Sequence, residues 1–205
     1  MVSLPTISIS KGNSKLGQIP SVSLPAVKTC RMCACSKICY AKKLERLRPT
    51  VRKAYQRNLD ALIESPDVYW REVEAAIMMS RFFRFHVSGD IPHYDYLVKM
   101  MEIAGRNPHC QILCFTKRYE FVNHFVDSCP GQEVPSNLHI IFSDWPGTEM
   151  PNPHHFPVAY VRFRDGFTQA PSDAQECGGN CTECACTEGG CWNLKRGESV
   201  VFNEH

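Results

Sequence analysis

Residues 82–126 read FFRFHVSGDIPHYDYLVKMMEIAGRNPHCQILCFTKRYEFVNHFV, and this stretch decides the architecture. Phe82 to Val87 is a short aromatic and β-branched run, the composition of a strand. Tyr94 to Ala104 reads as a helix ended by Gly105. Cys110 to Phe115 is a second strand, and Arg118 to Val126 a short helix. Leu138 to Ser143 repeats the strand pattern, so three strands begin about 28 residues apart. That is the length of a strand–helix unit, which predicts parallel strands joined by right-handed crossovers. Parallel strands buried on both faces are nearly continuous apolar runs, and Leu138-His139-Ile140-Ile141-Phe142 comes close.

Working outward, Val158 to Phe163 reads as a fourth strand, and Ser199 to Phe202 as a small edge strand. On the amino-terminal side, Val51, Ala54, Tyr55, Leu59 and Leu62 recur at helical steps through Thr50 to Ile63. Ser65 and Pro66 resemble an N-cap and a first-turn proline, with Tyr69, Trp70, Val73, Ala76 and Ile77 as the buried face of the helix they open. Residues 1–29 form an irregular leader punctuated by prolines, and 146–157 a proline-rich loop. The expectation is a single α/β domain over 1–205: a small, mostly parallel, partial-barrel-like sheet with helices. Cysteine-rich metal-binding segments at 30–39 and 177–191 flank it. The tail from 171 onward has little periodicity, so it is expected to be held by metal and to fold back until both segments lie near one end of the sheet.

The chain has 205 residues, enough for one sizeable core. No apolar run reaches the roughly 18 residues of a membrane helix, so no membrane partner is expected. The start, MVSLPTISIS, lacks the basic and apolar regions of a secretion signal, which predicts a cytoplasmic protein. Twelve cysteines in a reducing compartment point to metal or redox chemistry and away from disulfides. Charge is uneven: residues 1–60 hold 12 Lys or Arg against only Glu45 and Asp60. The basic segment 28–57, with Tyr40 and Tyr55 interleaved, could meet nucleic acid, or it could offset clustered thiolates or form a solvated helix face.

The first cluster is Cys30, Cys33, Cys35 and Cys39; the second is Cys177, Cys181, Cys184, Cys186 and Cys191. Cys181 to Cys191 nearly repeats the first spacing, C-x2-C-x-C-x4-C against C-x2-C-x-C-x3-C. Short spacings let successive thiolates wrap one centre, with Gly178, Gly179, Gly189 and Gly190 permitting tight turns. Structural zinc sites usually space their cysteine pairs by a dozen or more residues. The density here points first to iron–sulfur, as one or two 4Fe-4S clusters, and second to zinc. Cys177 is an alternate ligand of the second set, and ligands shared between segments remain open. Cys110, Cys114 and Cys129 stand apart; Cys110 and Cys114 lie on a predicted strand and read as small apolar residues.

Sites in parallel α/β folds form at the carboxyl ends of strands. Those ends read Ser88-Gly89-Asp90, Thr116-Lys117-Arg118, Ser143-Asp144-Trp145 and Arg164-Asp165. Each position has a plainer reading: Ser88, Asp90 and Thr116 as helix caps, Asp144 as the start of a turn. As a set they read as a functional rim. Asp90, Lys117 and Asp144, with Arg118, are the candidate catalytic and pocket residues. His86 is either a core histidine or part of the rim. His154 and His155 read as solvated, and His93, His109, His124 and His139 carry no metal spacing.

Two resemblances follow from these residues. Leu24–Cys30, Cys35–Ala41, Val51–Ala54, Asn58-Leu59, Phe85–Asp90 and Phe115–Lys117 resemble the gene product 88 family of phage and mobile-element proteins. Cys191-Trp192 and the final Val201–His205 add to it. That resemblance implies a phage-encoded protein in the host cytoplasm and brings no established activity. The Ser88-Gly89-Asp90-Ile91-Pro92 turn is similar to the Gly-Gly-Glu-Pro motif of radical S-adenosylmethionine enzymes. This implies a cofactor role for Ser88, Gly89 and Asp90, S-adenosylmethionine as cofactor, and a redox partner. Their C-x3-C-x2-C loop is matched at Cys35 and Cys39 only in its first spacing, and at Cys177, Cys181 and Cys184 only at the far end of the chain. Three or four strands also fall short of their six.

Overall fold

The computed structural model describes residues 6–30, 34–128, 131, 133–187 and 189–204. Seven strands form one sheet: β1 (Ser21–Val22), β2 (Phe82–Phe85), β3 (Gln111–Thr116), β4 (Leu138–Ser143), β5 (Val158–Arg162), β6 (Gln175–Glu176) and β7 (Ser199–Asn203). Their order is β1-β2-β3-β4-β5-β7-β6, and every neighbouring pair is parallel. The expected parallel sheet is therefore present and larger than its sequence signal. β1 and β6 are two residues each, too short to show a period. β7 is not an edge strand, because β6 pairs on its outer side.

β2 stops at Phe85, two residues before the apolar run does. His86 takes a left-handed backbone, φ 59°, which turns the chain out of the ladder. The helices are α1 (Ala26–Thr29), α2 (Tyr40–Leu47), α3 (Pro49–Glu64), α4 (Pro66–Met78), α5 (Tyr94–Arg106), α6 (Tyr119–Ser128) and α7 (Cys181–Ala185). Ser65 does precede α4, but it caps through its carbonyl, which accepts from the N–H groups of Val68 and Tyr69. No helix among the described residues is long and apolar enough to cross a membrane.

Alternation along the strands divides the interior in two. Phe83, Phe85, Ile112, Cys114, Ile140 and Phe142 face helices α3 to α6, meeting Tyr69, Trp70, Val73, Leu97, Met100 and Val122. Cys110 and Cys114 are buried on this side, where burial pushes the Cys110 thiol up to about 12 and Cys114 also up. Both behave as the apolar residues expected of them; Cys129 lies outside the described residues. The opposite face presents Leu113, Ile141, Ala159 and Val200 to Leu16 and Ile19 and to the tail residues Cys191, Trp192 and Leu194. The tail thus has apolar anchorage of its own, contrary to the expectation that metal alone holds it. The aperiodic spacing hides this, because its apolar residues pack from turns rather than from one helix face.

Candidate metal centre and ligand cavity

The carboxyl ends of the strands open into a cavity of about 510 Å³. Its shape follows from register. β5 pairs with β4 only through Val158 opposite Phe142 and Ala159 opposite Ser143, so Tyr160 and Val161 project past the end of β4 as a wall. Tyr40, Ala41 and Leu44 of α2 form the facing wall. Three of the four predicted strand ends converge here, contributing Ser88, Gly89 and Asp90, then Thr116 and Lys117, then Ser143, Asp144 and Trp145. Arg118 and the fourth end do not. Arg118 lies over the Phe121 ring at 4.1 Å and pairs with Glu120 at 2.7 Å, and Arg164 turns to Glu204 at 3.6 Å.

Asp90 is a strut between strand ends. Its Oδ1 accepts from Thr116 Oγ1 at 2.6 Å and from its neighbour Ile91 N at 2.8 Å, and its Oδ2 accepts from Lys117 N at 2.8 Å. Burial pushes its pKa up, and the donors oppose that. The carboxylate is therefore committed to holding the β2 and β3 ends together. Thr116 Oγ1 in turn accepts from Arg118 N at 2.9 Å, the capping role weighed for it. Asp144 is less enclosed; burial raises its pKa while Lys117 lowers it. Lys117 Nζ stands 5.9 Å from the centre of the Trp145 ring.

The turn before Asp90 is locked onto the segment that carries the first cysteines. Gly89 has φ 84°, and a Cβ there would meet Leu24 O and Thr29 Oγ1 at 2.7 Å. Leu24 N donates to Ser88 O at 3.0 Å. Glu45 Oε1 accepts from both Ser88 Oγ and Ala26 N at 2.9 Å, and the Tyr40 hydroxyl donates to Val87 O. Cys30, Cys35 and Cys39 consequently line the same cavity as the rim. A hydrogen bond from Cys35 pulls the Cys39 thiol down to about 6 against burial, and the Lys117 charge adds to this. Cys33 lies outside the described residues.

The second cysteine set occupies the open face of the sheet instead. Cys181 N donates to Lys15 O at 2.8 Å, and Thr182 Oγ1 to Leu16 O at 2.9 Å, which seats α7 on the N-terminal segment. Cys191 hydrogen bonds Cys184 and holds it down to about 6, while that same contact first and burial second push Cys191 up. Gly190, φ 82°, leaves room for this pair; a Cβ would stand 1.9 Å from Cys184 Sγ. Cys177 N donates to Val201 O at 3.0 Å, and Cys186 is exposed. None of these five lines the cavity. Among the described residues, no three His, Cys, Asp or Glu side chains are gathered tightly enough to form a metal set. What is assembled is two thiol pairs, Cys35–Cys39 and Cys184–Cys191, each with one easily ionised member, and easily ionised thiols are the donors that soft metals take.

Two participants escaped the sequence reading. Arg84 lines the cavity, stacks on Phe115 at 4.8 Å and reaches Cys181 Sγ at 3.9 Å, so it shares a cavity with the first cysteine region and contacts the second. Its signal was a charge inside the apolar FFRF run. Glu45 was legible as the one acid of a basic stretch. His86 proves to be both things weighed for it, 4% exposed yet on the cavity floor. Its Nε2 lies 3.1 Å from the Tyr96 hydroxyl, which is 2.6 Å from that of Tyr69. His154 is not simply solvated, since it pairs with Asp127 at 2.9 Å.

A family model described as Gene product 88 matches residues 7–161. The chain belongs to the gene product 88 family. No curated protein and no solved structure matches it. The family match takes in the first cysteine segment and the cavity rim from Ser88 to Trp145. It ends within β5, so Cys177 to Cys191 and the other tail residues that carried the resemblance lie beyond it.

Proposed function

We propose that this protein is a phage-encoded iron–sulfur protein whose first cysteine segment holds a 4Fe-4S cluster at the strand-end cavity. The observation that carries the reading is the convergence of Cys30, Cys35 and Cys39 with three strand ends on one cavity. The donor chemistry supports it as well: Cys39 ionises readily, and the Lys117 charge adds to this. Cys35 and Cys39 would hold the group, with Cys30 and Cys33 completing the set. Cys184 and Cys191, with Cys177, Cys181 and Cys186 nearby, are the proposed ligands of a second centre. A bound cluster would supply an electron to a molecule in the cavity. Lys117 and Asp144 would contact that molecule, while Asp90 and Gly89 fix the turn that shapes its floor.

Anaerobic purification followed by metal and sulfide analysis tests this. Iron and acid-labile sulfide in comparable amounts are expected, with the first centre's share lost on Cys35→Ser with Cys39→Ser and the second centre's share kept. A colourless protein with stoichiometric zinc would overturn it. A second reading, an enzyme using S-adenosylmethionine, is supported by the Ser88-Gly89-Asp90 turn lining the same cavity. It requires that S-adenosylmethionine perturb the paramagnetic signal of the reduced cluster, and an unchanged spectrum would remove it.

A further inference from the structure

We infer that the protein binds single-stranded nucleic acid, gripping phosphates with the outer faces of α2 and α3 and admitting one nucleotide to the cavity. The inference rests on that cavity being the working site, as proposed above, and is independent of which metal it holds.

The grip is an unneutralised cationic face. α2 turns Tyr40, Ala41, Leu44 and Glu45 inward, as its cavity lining and the Glu45 bonds require. Lys42, Lys43 and Arg46 are left exposed on its other side. Arg48, between the two helices, and Arg52, Lys53 and Arg57 of α3 are exposed as well. Among the described residues none of these seven pairs with a carboxylate, whereas Arg106, Arg162 and Arg164 elsewhere all do. The one acid of α2, Glu45, is spent on Ala26 N and Ser88 Oγ, so the outer side of α2 is left positive. Exposed cations along two consecutive helices match the repeating phosphates of a strand.

The cavity across α2 from this face, which a strand would reach by passing over the helix, has the chemistry of a nucleotide site. Lys15, Arg84 and Lys117 each lie over an aromatic ring, of Phe202, Phe115 and Trp145, at 4.8, 4.8 and 5.9 Å. Positive charge and flat apolar surface are thus paired three times around one hollow, as needed for a phosphate carrying a stacked base. A base inside a duplex cannot reach such a hollow without leaving its stack, which selects single strands.

The test is fluorescence anisotropy of a labelled strand of about 20 nucleotides, as DNA and as RNA, against metal-free and iron-loaded protein. With about six phosphates neutralised, affinity should fall about 300-fold between about 50 and about 200 mM salt. Reversing Lys42, Lys43 and Arg46 to Glu should reduce the salt slope by about 2. Their exposure makes folding of this variant simple to verify by its melting curve. Trp145→Ala should weaken single-strand binding about tenfold and leave the duplex of the same sequence unaffected. Salt-insensitive or absent binding overturns the inference, as does equal binding of duplex and single strand. So does displacement of the strand by phosphatidylserine vesicles at equal charge. Iron and sulfide are read on the same preparation: an iron-free protein that binds the strand ends the cluster proposal and keeps this one, and an iron–sulfur protein that ignores the strand does the reverse.

Discussion

Replacing His86 by asparagine probes the cavity floor through the pH dependence of stability. Burial first, and the Arg84 charge second, lower the His86 pKa to about 3 from its ordinary 6.5. The unfolded chain therefore takes up a proton below about pH 6.5 that the folded chain refuses until about pH 3. Stability attributable to a neutral His86 is complete above pH 6.5 and is lost as pH falls toward 3. At pH 5.0 the unfolded state gains about 2 kcal/mol from this one proton, approaching about 1.4 kcal/mol for each further pH unit. Asparagine suits the test because it tolerates the left-handed backbone of φ 59° better than other non-glycine residues and does not titrate. Urea unfolding of both proteins at pH 8, 6 and 5 is the assay. His86→Asn lowers stability at pH 8, where its loss of the Tyr96 contact is felt, yet the gap should narrow by about 2 kcal/mol by pH 5. A gap that stays constant over this range would refute the reasoning, since His86 would then be charged or hydrated in the folded protein.

Other perturbations follow from the strand-end geometry. Asp90→Asn must turn an N–H toward a buried backbone donor, either Ile91 N or Lys117 N, and should cost about 2 kcal/mol. For a chain of this size that is a fall of about 4–8 °C in Tm, and an unchanged melt would mean the strut carries no load. Gly89→Ala should cost at least about 2 kcal/mol, because the left-handed turn and the 2.7 Å approaches to Leu24 and Thr29 act together. Gly166→Ala, with φ 88° but nothing within 4 Å, should cost only about 1 kcal/mol, and equal losses in the two variants would disprove the close approach. Glu74 is held below the usual carboxylate range by the Arg106 guanidinium, at 2.9 Å through both nitrogens. Glu74→Gln should cost about 1 kcal/mol or less at pH 7, because Arg106 is exposed and Glu74 only half-buried, so solvent screens the pair. That cost is present above the ordinary glutamate value of 4.5 and disappears as pH falls through the lowered Glu74 value, which paired acid titrations of the two proteins would show.

The nucleic-acid and iron–sulfur readings meet at α2, which the charge count presents only as part of a basic stretch. Tyr40, Ala41, Leu44 and Leu47 do recur at helical steps, but over eight residues that stripe is short beside its four charged residues. Two tertiary anchors then fix its position, Glu45 on Ser88 and Tyr40 on Val87. These anchors also sort its residues into an inner, cavity-lining side and an outer, charged one.

From the sequence alone came the parallel sheet, the helices α3 to α6 and the two cysteine segments. A strand buried on both faces must be apolar throughout, and a helix packed on one side must be apolar at every third or fourth residue, so both leave local traces. The cysteine spacings are local as well. Only the tertiary structure decided that the first segment shares a cavity with Ser88, Lys117 and Asp144, and that the second lies on the opposite face from the helices. It also decided that Asp90 is a strut, that His86 ends β2 early, and that Arg84 reaches Cys181 from the cavity. Each of these depends on hydrogen bonds and contacts between residues tens of positions apart, and no local period encodes which strand end will meet which loop.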